Sequence, residues 1–182
     1  MQQSQKVPIV LAGLLFTLAA VAEIATGRGR LPQDDGAEQV RRAALVSVEE
    51  ALARGDAAGS LRAWQQAYEA ARMNRGWRGL VEVGDAGVRI DAETRGTAVL
   101  APRARQVYLA ALNRARAERS VDGALRVANG FSQLGDREVT ERVLTIAASL
   151  AVRSHDAAAP MRVETARGRL LESASTPPRA LF

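Results

Sequence analysis

Cysteine is absent from the chain, and lysine and histidine occur once each, at Lys6 and His155. Without cysteine there are no disulfides, thiolate nucleophiles, thiolate metal sites or cysteine-borne lipid, so stability has to come from packing. A lone histidine cannot build a His-based metal site or a His-containing triad, and His155, beside Asp156, reads as a solvated side chain. Aromatic residues make up only 4%. Alanine and leucine dominate instead, which suits closely approaching helices better than sheets of β-branched and aromatic residues. No glycine-rich phosphate cradle is present, because Gly27-Arg28-Gly29-Arg30 lacks the strand before it and the helix after it that would aim its amides. The carboxylates Glu49 and Glu50, and Glu138 and Glu141 beside Arg142, are spaced as helix-surface charges and ion pairs. The expectation is an all-α protein that is not an enzyme, with no cofactor, no metal site and no small-molecule substrate.

Acidic charge is the scarcer sign, leaving a formal net charge of +5. All cations except Lys6 are arginines, a skew that fits the coding bias of a GC-rich genome better than selection for phosphate binding. Between Glu38 and Val152 there are 17 arginines against 14 acids, a mixed and solvated surface that gives no reason to expect nucleic acid as a partner. The densest basic stretch, Arg103, Arg105, Arg114, Arg116 and Arg119, reads first as solvated helix surface and second as a contact for lipid headgroups or an acidic partner.

Only one long uncharged run exists, the sixteen residues Val7 to Ala22. It follows a short polar start carrying Lys6 and ends in the small-x-small sequence Ala20-Val21-Ala22, as a secretory signal does. Extended to Thr26 it also reaches the roughly 20 residues a spanning helix needs, with Glu23 near one interface. Residues 1–26 are therefore expected to act as a signal peptide or a signal-anchor transmembrane helix. Residues 27–37, rich in glycine and charge and broken by Pro32, are expected to form a flexible linker.

From Ala37 the pattern turns helical, with Val40, Ala43, Ala44, Val48, Ala51 and Leu52 on one face, then Leu61, Trp64, Ala67, Tyr68 and Ala71 on the next. Between them, Arg54-Gly55-Asp56 ends one helix and caps another. The same grammar returns at Gly135-Asp136. Helices are predicted near 38–53, 57–73, 76–90, 102–118, 121–133 and 137–152, with a weak capping helix at 161–174 inside a C-terminal tail (153–182) whose Ser175–Arg179 stretch is expected to fray. The large rings of Trp64, Tyr68, Trp77, Tyr108 and Phe131 fall at core spacing.

Written side by side, GDAAGSLRAWQQAY (Gly55 to Tyr68) and GDREVTERVLTIA (Gly135 to Ala147) share the turn, a small or hydroxylated residue five places on, a large apolar residue nine on and alanine twelve on. This resembles the tetratricopeptide repeat, in which small residues let paired helices approach and large ones fill the gap to a neighbour. Gly55, Trp64 and Ala67, and Ala128, Phe131, Gly135 and Ala147, match that pattern, while Ser60 and Thr140 stand where alanine is usual. In the middle unit Trp77-Arg78-Gly79-Leu80 resembles the opening tryptophan and leucine of a repeat and Ala104, Tyr108, Ala111 and Leu112 its second helix, with an insertion from Asp91 to Pro102. The resemblance implies a short α-solenoid of three antiparallel helix pairs over 38–152. It also implies that the first helices line a groove presenting Arg42, Leu45, Glu49, Arg78, Glu82, Asp85, Asn129 and Gln133 to a protein partner.

The functional expectation is a membrane-tethered or exported protein–protein interaction module on the extracytoplasmic side. It would lie at a bacterial inner membrane, held through residues 7–26, or in the periplasm if the signal is cleaved. The alternative is a single-pass structural subunit of a larger membrane protein complex.

Overall fold

The computed structural model of the chain describes residues 32–94 and 100–173. Among them are seven helices and no strand: α1 Pro32–Ala53, α2 Ala57–Met73, α3 Arg78–Glu93, α4 Ala101–Ala117, α5 Val121–Gln133, α6 Arg137–Val152 and α7 Ala159–Ser173. The all-α class read from composition holds, and the predicted helices each find a counterpart with ends shifted by a few residues. The expected signal or anchor segment, the start of the expected linker, part of the expected insertion and the Ser175–Arg179 stretch lie outside the described residues. None of the described helices is long and apolar enough to cross a membrane.

Two boundaries differ from expectation. Residues 32–37 are already helical in α1, so that part of the expected linker belongs to the folded body. Proline is at home in the first turn, where its missing N–H would have no partner, and Asp35 adds a carboxylate near the positive end of the helix dipole. In the middle of the chain α3 runs on to Glu93 and α4 begins at Ala101, which shortens the expected insertion. There the Asp91 carboxylate accepts the Leu100 N–H, both oxygens at 3.0 Å, and the Leu100 side chain is buried.

Three inter-helix turns are built alike. Gly55 N–H bonds to Leu52 C=O and Asp56 N–H to Ala51 C=O; Arg119 repeats this with Arg116 and Ser120 with Ala115; Gly135 does so with Ser132 and Asp136 with Phe131. This paired closure of a helix C-terminus needs one residue in the left-handed region, and the residues there are Gly55 (φ 70), Arg119 (φ 54) and Gly135 (φ 73). Glycine takes that conformation without a Cβ clash, whereas another L-residue is strained by about 1–2 kcal/mol. Arg119→Gly is therefore expected to stabilise the fold by about 1 kcal/mol, seen as a higher urea midpoint at unchanged slope.

The next residue in each turn opens the following helix. Asp56 caps with its side chain, accepting from Gly59 N–H at 2.7 Å, and Ser120 accepts from Gly123 N–H at 3.0 Å. Five places after each left-handed glycine, Ser60 and Thr140 are fully buried. Their hydroxyls donate to the Ala57 and Asp136 carbonyls of the preceding turn, each at 2.9 Å. Thr140 thus fits a position read as small because its one polar atom is satisfied within its own helix.

Consecutive helices pack as hairpins, α1 on α2, α3 on α4 and α5 on α6, with α7 closing against α6 and α5. In addition α1 touches α3, α3 touches α5 and α5 touches α7, while no comparable contact joins α2 to α4 or α4 to α6. The odd-numbered helices therefore form one continuous row, and the even-numbered ones stand behind it more widely spaced.

Large rings from the even helices fill the spaces between odd ones. Trp64 of α2 is buried, with its Nε1–H donating to the Val83 carbonyl of α3 at 2.8 Å. Tyr108 of α4 passes between two glycines: a Cβ on Gly84 of α3 or Gly130 of α5 would stand 2.5 or 2.4 Å from its ring. Phe131 lies beside it, ring centres 5.7 Å apart. Trp77, Tyr108 and Phe131 are buried and Tyr68 half-buried, stacked on Trp64. Glycine within helices is unfavourable for propensity; here it creates the slots these rings occupy.

Candidate partner-binding face

Charged side chains on the row of odd-numbered helices meet across the helix joints. Between α1 and α3, Arg41 bonds to Glu82, and Glu49 pairs with Arg89 at 2.7 Å. Between α3 and α5, Asp85 pairs with Arg126 at 3.0 Å, and between α5 and α7, Asp122 pairs with Arg162 at 3.5 Å. Each joint thus carries at least one opposite-charge contact over an apolar layer.

Arg41 is the most deeply placed of these, only 2% exposed. Its guanidinium lies on Gly79, where a Cβ would come within 2.9 Å of Nε, and reaches Glu38 at 2.6 Å as well as Glu82. Burial works to lower its pKa, but hydrogen bonds to the two carboxylates outweigh this and raise it. The same contact with Arg41 holds the Glu38 carboxyl below its ordinary value against the effect of its own burial. A charge so buried is tolerable because both partners are in place.

Asp85 forms the second junction. It accepts a hydrogen bond from the Tyr108 hydroxyl at 2.8 Å and from Arg126. Burial pushes its pKa up, opposed by those two donors, and burial together with the Asp85 charge pushes the Tyr108 phenol up. The Tyr108 side chain therefore ties the outer helix α4, through the slot between Gly84 and Gly130, to the charged face of α3.

Two clefts flank this junction. One, about 560 Å³, lies between α1 and α3 and is lined by Glu38, Arg41, Arg42, Asn74, Arg78 and Glu82, among others. The second, about 580 Å³, lies between α5 and α7 and includes Leu125, Arg126, Asn129, Met161, Arg162 and Arg169. Of the expected groove residues, Arg42, Arg78 and Glu82 are brought together in the first and Asn129 stands in the second. Arg42 is exposed and bonds Glu38 at 2.8 Å, and Arg78 lies over the Trp77 ring, 4.8 Å from its centre. Glu49, Glu82 and Asp85 are engaged with neighbouring helices, Leu45 is half-buried against the core, and Gln133 is exposed but lines neither cleft. Sequence spacing did not single out Arg41, Arg126 or Arg162, because nothing local marks which cation faces an acid on another helix. Helix α7, expected only to cap, supplies one wall of the second cleft.

The basic stretch noted in the sequence disperses. Arg105 binds Asp136 through two bonds of 2.7 and 2.6 Å. Arg114 donates to the carbonyls of Ala71, Arg72, Asn74 and Gly76 and so satisfies the C-terminal end of α2; burial lowers its pKa. His155 is exposed in the turn between α6 and α7. Arg142 pairs with Glu138, and Arg137 with Glu141, as helix-surface ion pairs.

Comparison of the chain with protein-family models, with curated proteins and with solved structures finds no match.

Proposed function

We propose that the helical body is a short solenoid of tetratricopeptide type that holds a segment of a protein partner along its row of odd-numbered helices, acting as an interaction module rather than an enzyme. The observation that carries this reading is the row itself. Four helices in side-by-side contact present two polar clefts of ligand-segment size, one on each side of the Asp85 junction. The mixed signs within each cleft favour a partner segment bearing charges of its own. The glycine–aspartate turns and the small residues that follow them support the repeat assignment. The uncharged run Val7 to Ala22 supports delivery to the extracytoplasmic side, with residues 7–26 as a membrane tether or a cleaved signal.

The test is the double variant Arg42→Glu/Arg78→Glu. Both side chains are exposed, so the variant is expected to keep its helical signal and melting point. Single exposed ion pairs contribute about 0–1 kcal/mol, which is why both charges are reversed together. Partners co-purified from native membranes should be lost, and lost further as salt rises; partners retained at full yield would move the interaction surface elsewhere.

A second reading, a structural subunit fixed in a larger membrane complex, is favoured by one feature. On α1 and α2 an apolar groove lined by Ala37, Val40, Ala70 and Met73 is open, with Val40 56% and Met73 78% exposed. A lasting subunit contact would cover such a surface.

A further inference from the structure

We infer that the cleft between α4 and α6, on the opposite layer from the partner-binding row, is a binding site for a phosphate group carried by a small ester or a lipid headgroup. The cleft measures about 550 Å³ and gathers Arg116 from the end of α4, Arg119 from the turn after it and Arg153 from the residue that closes α6. None of the side chains lining it is acidic. Asn113, Ser149 and Ser154 add neutral polar groups, and Ile146 and Leu150 apolar ones.

Most arginines of the body are already engaged with a carboxylate, a carbonyl or a ring. Arg116 and Arg119 are exposed and have no ion-pair partner among the described residues. Glu118, between them in sequence, does not line the cleft. Arg153 donates to the Ser149 carbonyl at 3.0 Å and to its hydroxyl at 3.2 Å, which fixes the guanidinium at the cleft while leaving other N–H groups to give. Three like charges held together repel one another, and an oxyanion relieves that repulsion while taking several N–H bonds from planar forks shaped for it.

The backbone adds an independent indication. Arg119 occupies the left-handed position that glycine fills in the two sister turns. Glycine would serve the turn without strain, so the arginine stands there against the preference of the backbone.

The inference is tested on the full-length chain in non-ionic detergent at low salt, titrated with inorganic pyrophosphate in a calorimeter. Saturable one-to-one binding is expected. Arg116→Glu/Arg119→Glu should weaken it by about tenfold or more, since two charge-assisted contacts become repulsive. The control Arg54→Glu/Arg62→Glu alters net charge equally at exposed arginines outside the cleft and should change affinity by less than about threefold. Arg119→Gly should raise the melting temperature while weakening binding, a combination that a folding defect cannot produce. A second arm compares phosphatidylglycerol with phosphatidylcholine vesicles. If the cleft reversal abolishes the preference for phosphatidylglycerol, the phosphate is that of a headgroup; if it affects pyrophosphate alone, the ligand is a soluble phosphoester. Absence of saturable pyrophosphate binding, or equal losses in the two double variants, overturns the inference.

Discussion

Replacing Trp64 with alanine is expected to destabilise the helical body by about 3–5 kcal/mol, the range for deleting a buried aromatic side chain. The residue is 1% exposed and belongs to α2, yet its indole N–H donates to the Val83 carbonyl of α3. A Cβ on Gly87 of α3 would come 3.0 Å from the indole Nε1 and 3.6 Å from the Ala104 Cβ of α4. The indole therefore joins the first hairpin to the second, and a cavity at this joint cannot be closed by movement within one helix. Trp64→Phe separates two contributions. It retains much of the ring volume and loses the bond to the Val83 carbonyl, worth about 1 kcal/mol, so it should fall well short of the alanine variant. Urea unfolding followed by far-ultraviolet ellipticity measures both. A loss below about 0.5 kcal/mol for Trp64→Ala would mean that the ring is not buried in solution.

That Trp64 was recognisable in the sequence, while most of the charged face was not, has a physical reason. Core positions announce themselves locally: an apolar ring nine residues after a glycine–aspartate turn falls on the buried stripe of its own helix whatever lies opposite. Turns are legible for the same reason when they use glycine, as at Gly55 and Gly135. The helix break at 119–120 is legible too, but not that it is a third turn of the same build, because its left-handed residue is Arg119. An ion pair between helices is set by two stretches of sequence forty or so residues apart and by the rotation of each helix. Glu49, Glu82 and Asp85 are expected on the first helices of the pairs, but their periodicity says nothing of Arg89, Arg41 and Arg126 opposite them. Likewise Arg105 and Arg114 looked equivalent to Arg116 and Arg119 in a basic stretch. Only the three-dimensional structure divides them, with Arg105 bonded to Asp136 and Arg114 to the carbonyls at the end of α2, while Arg116 and Arg119 have no ion-pair partner among the described residues. The early start of α1 was masked by composition, since a glycine and two aspartates after a proline suit a linker as well as a first helical turn.

The slot around Tyr108 yields the sharper prediction, because propensity and packing give it opposite signs. Judged by propensity alone, Gly130→Ala in the middle of α5 should stabilise the helix by about 1 kcal/mol. Packing says otherwise: the new Cβ would stand 2.4 Å from Cζ and 2.5 Å from Cε1 of Tyr108. The ring cannot swing aside cheaply, since its hydroxyl is tied to Asp85 at 2.8 Å and its other face meets Gly84. Overpacking of this kind costs about 1–3 kcal/mol or more, so the variant is expected to be destabilised by about 2 kcal/mol net. The partner substitution Tyr108→Leu removes the ring and should itself be destabilising, through the space vacated in the slot and the lost bond to Asp85. In that background, however, Gly130→Ala meets no ring and adds volume where volume is missing, so its effect should fall to zero or turn favourable. A double-mutant cycle on urea midpoints then gives a coupling of about 2 kcal/mol, large for a pair in direct contact. If Gly130→Ala stabilises the wild-type protein, the α3–α5 spacing is wider than described and Tyr108 does not run between the two helices. If it destabilises both backgrounds equally, the strain arises elsewhere on α5 and the slot does not set the spacing of the row of odd-numbered helices.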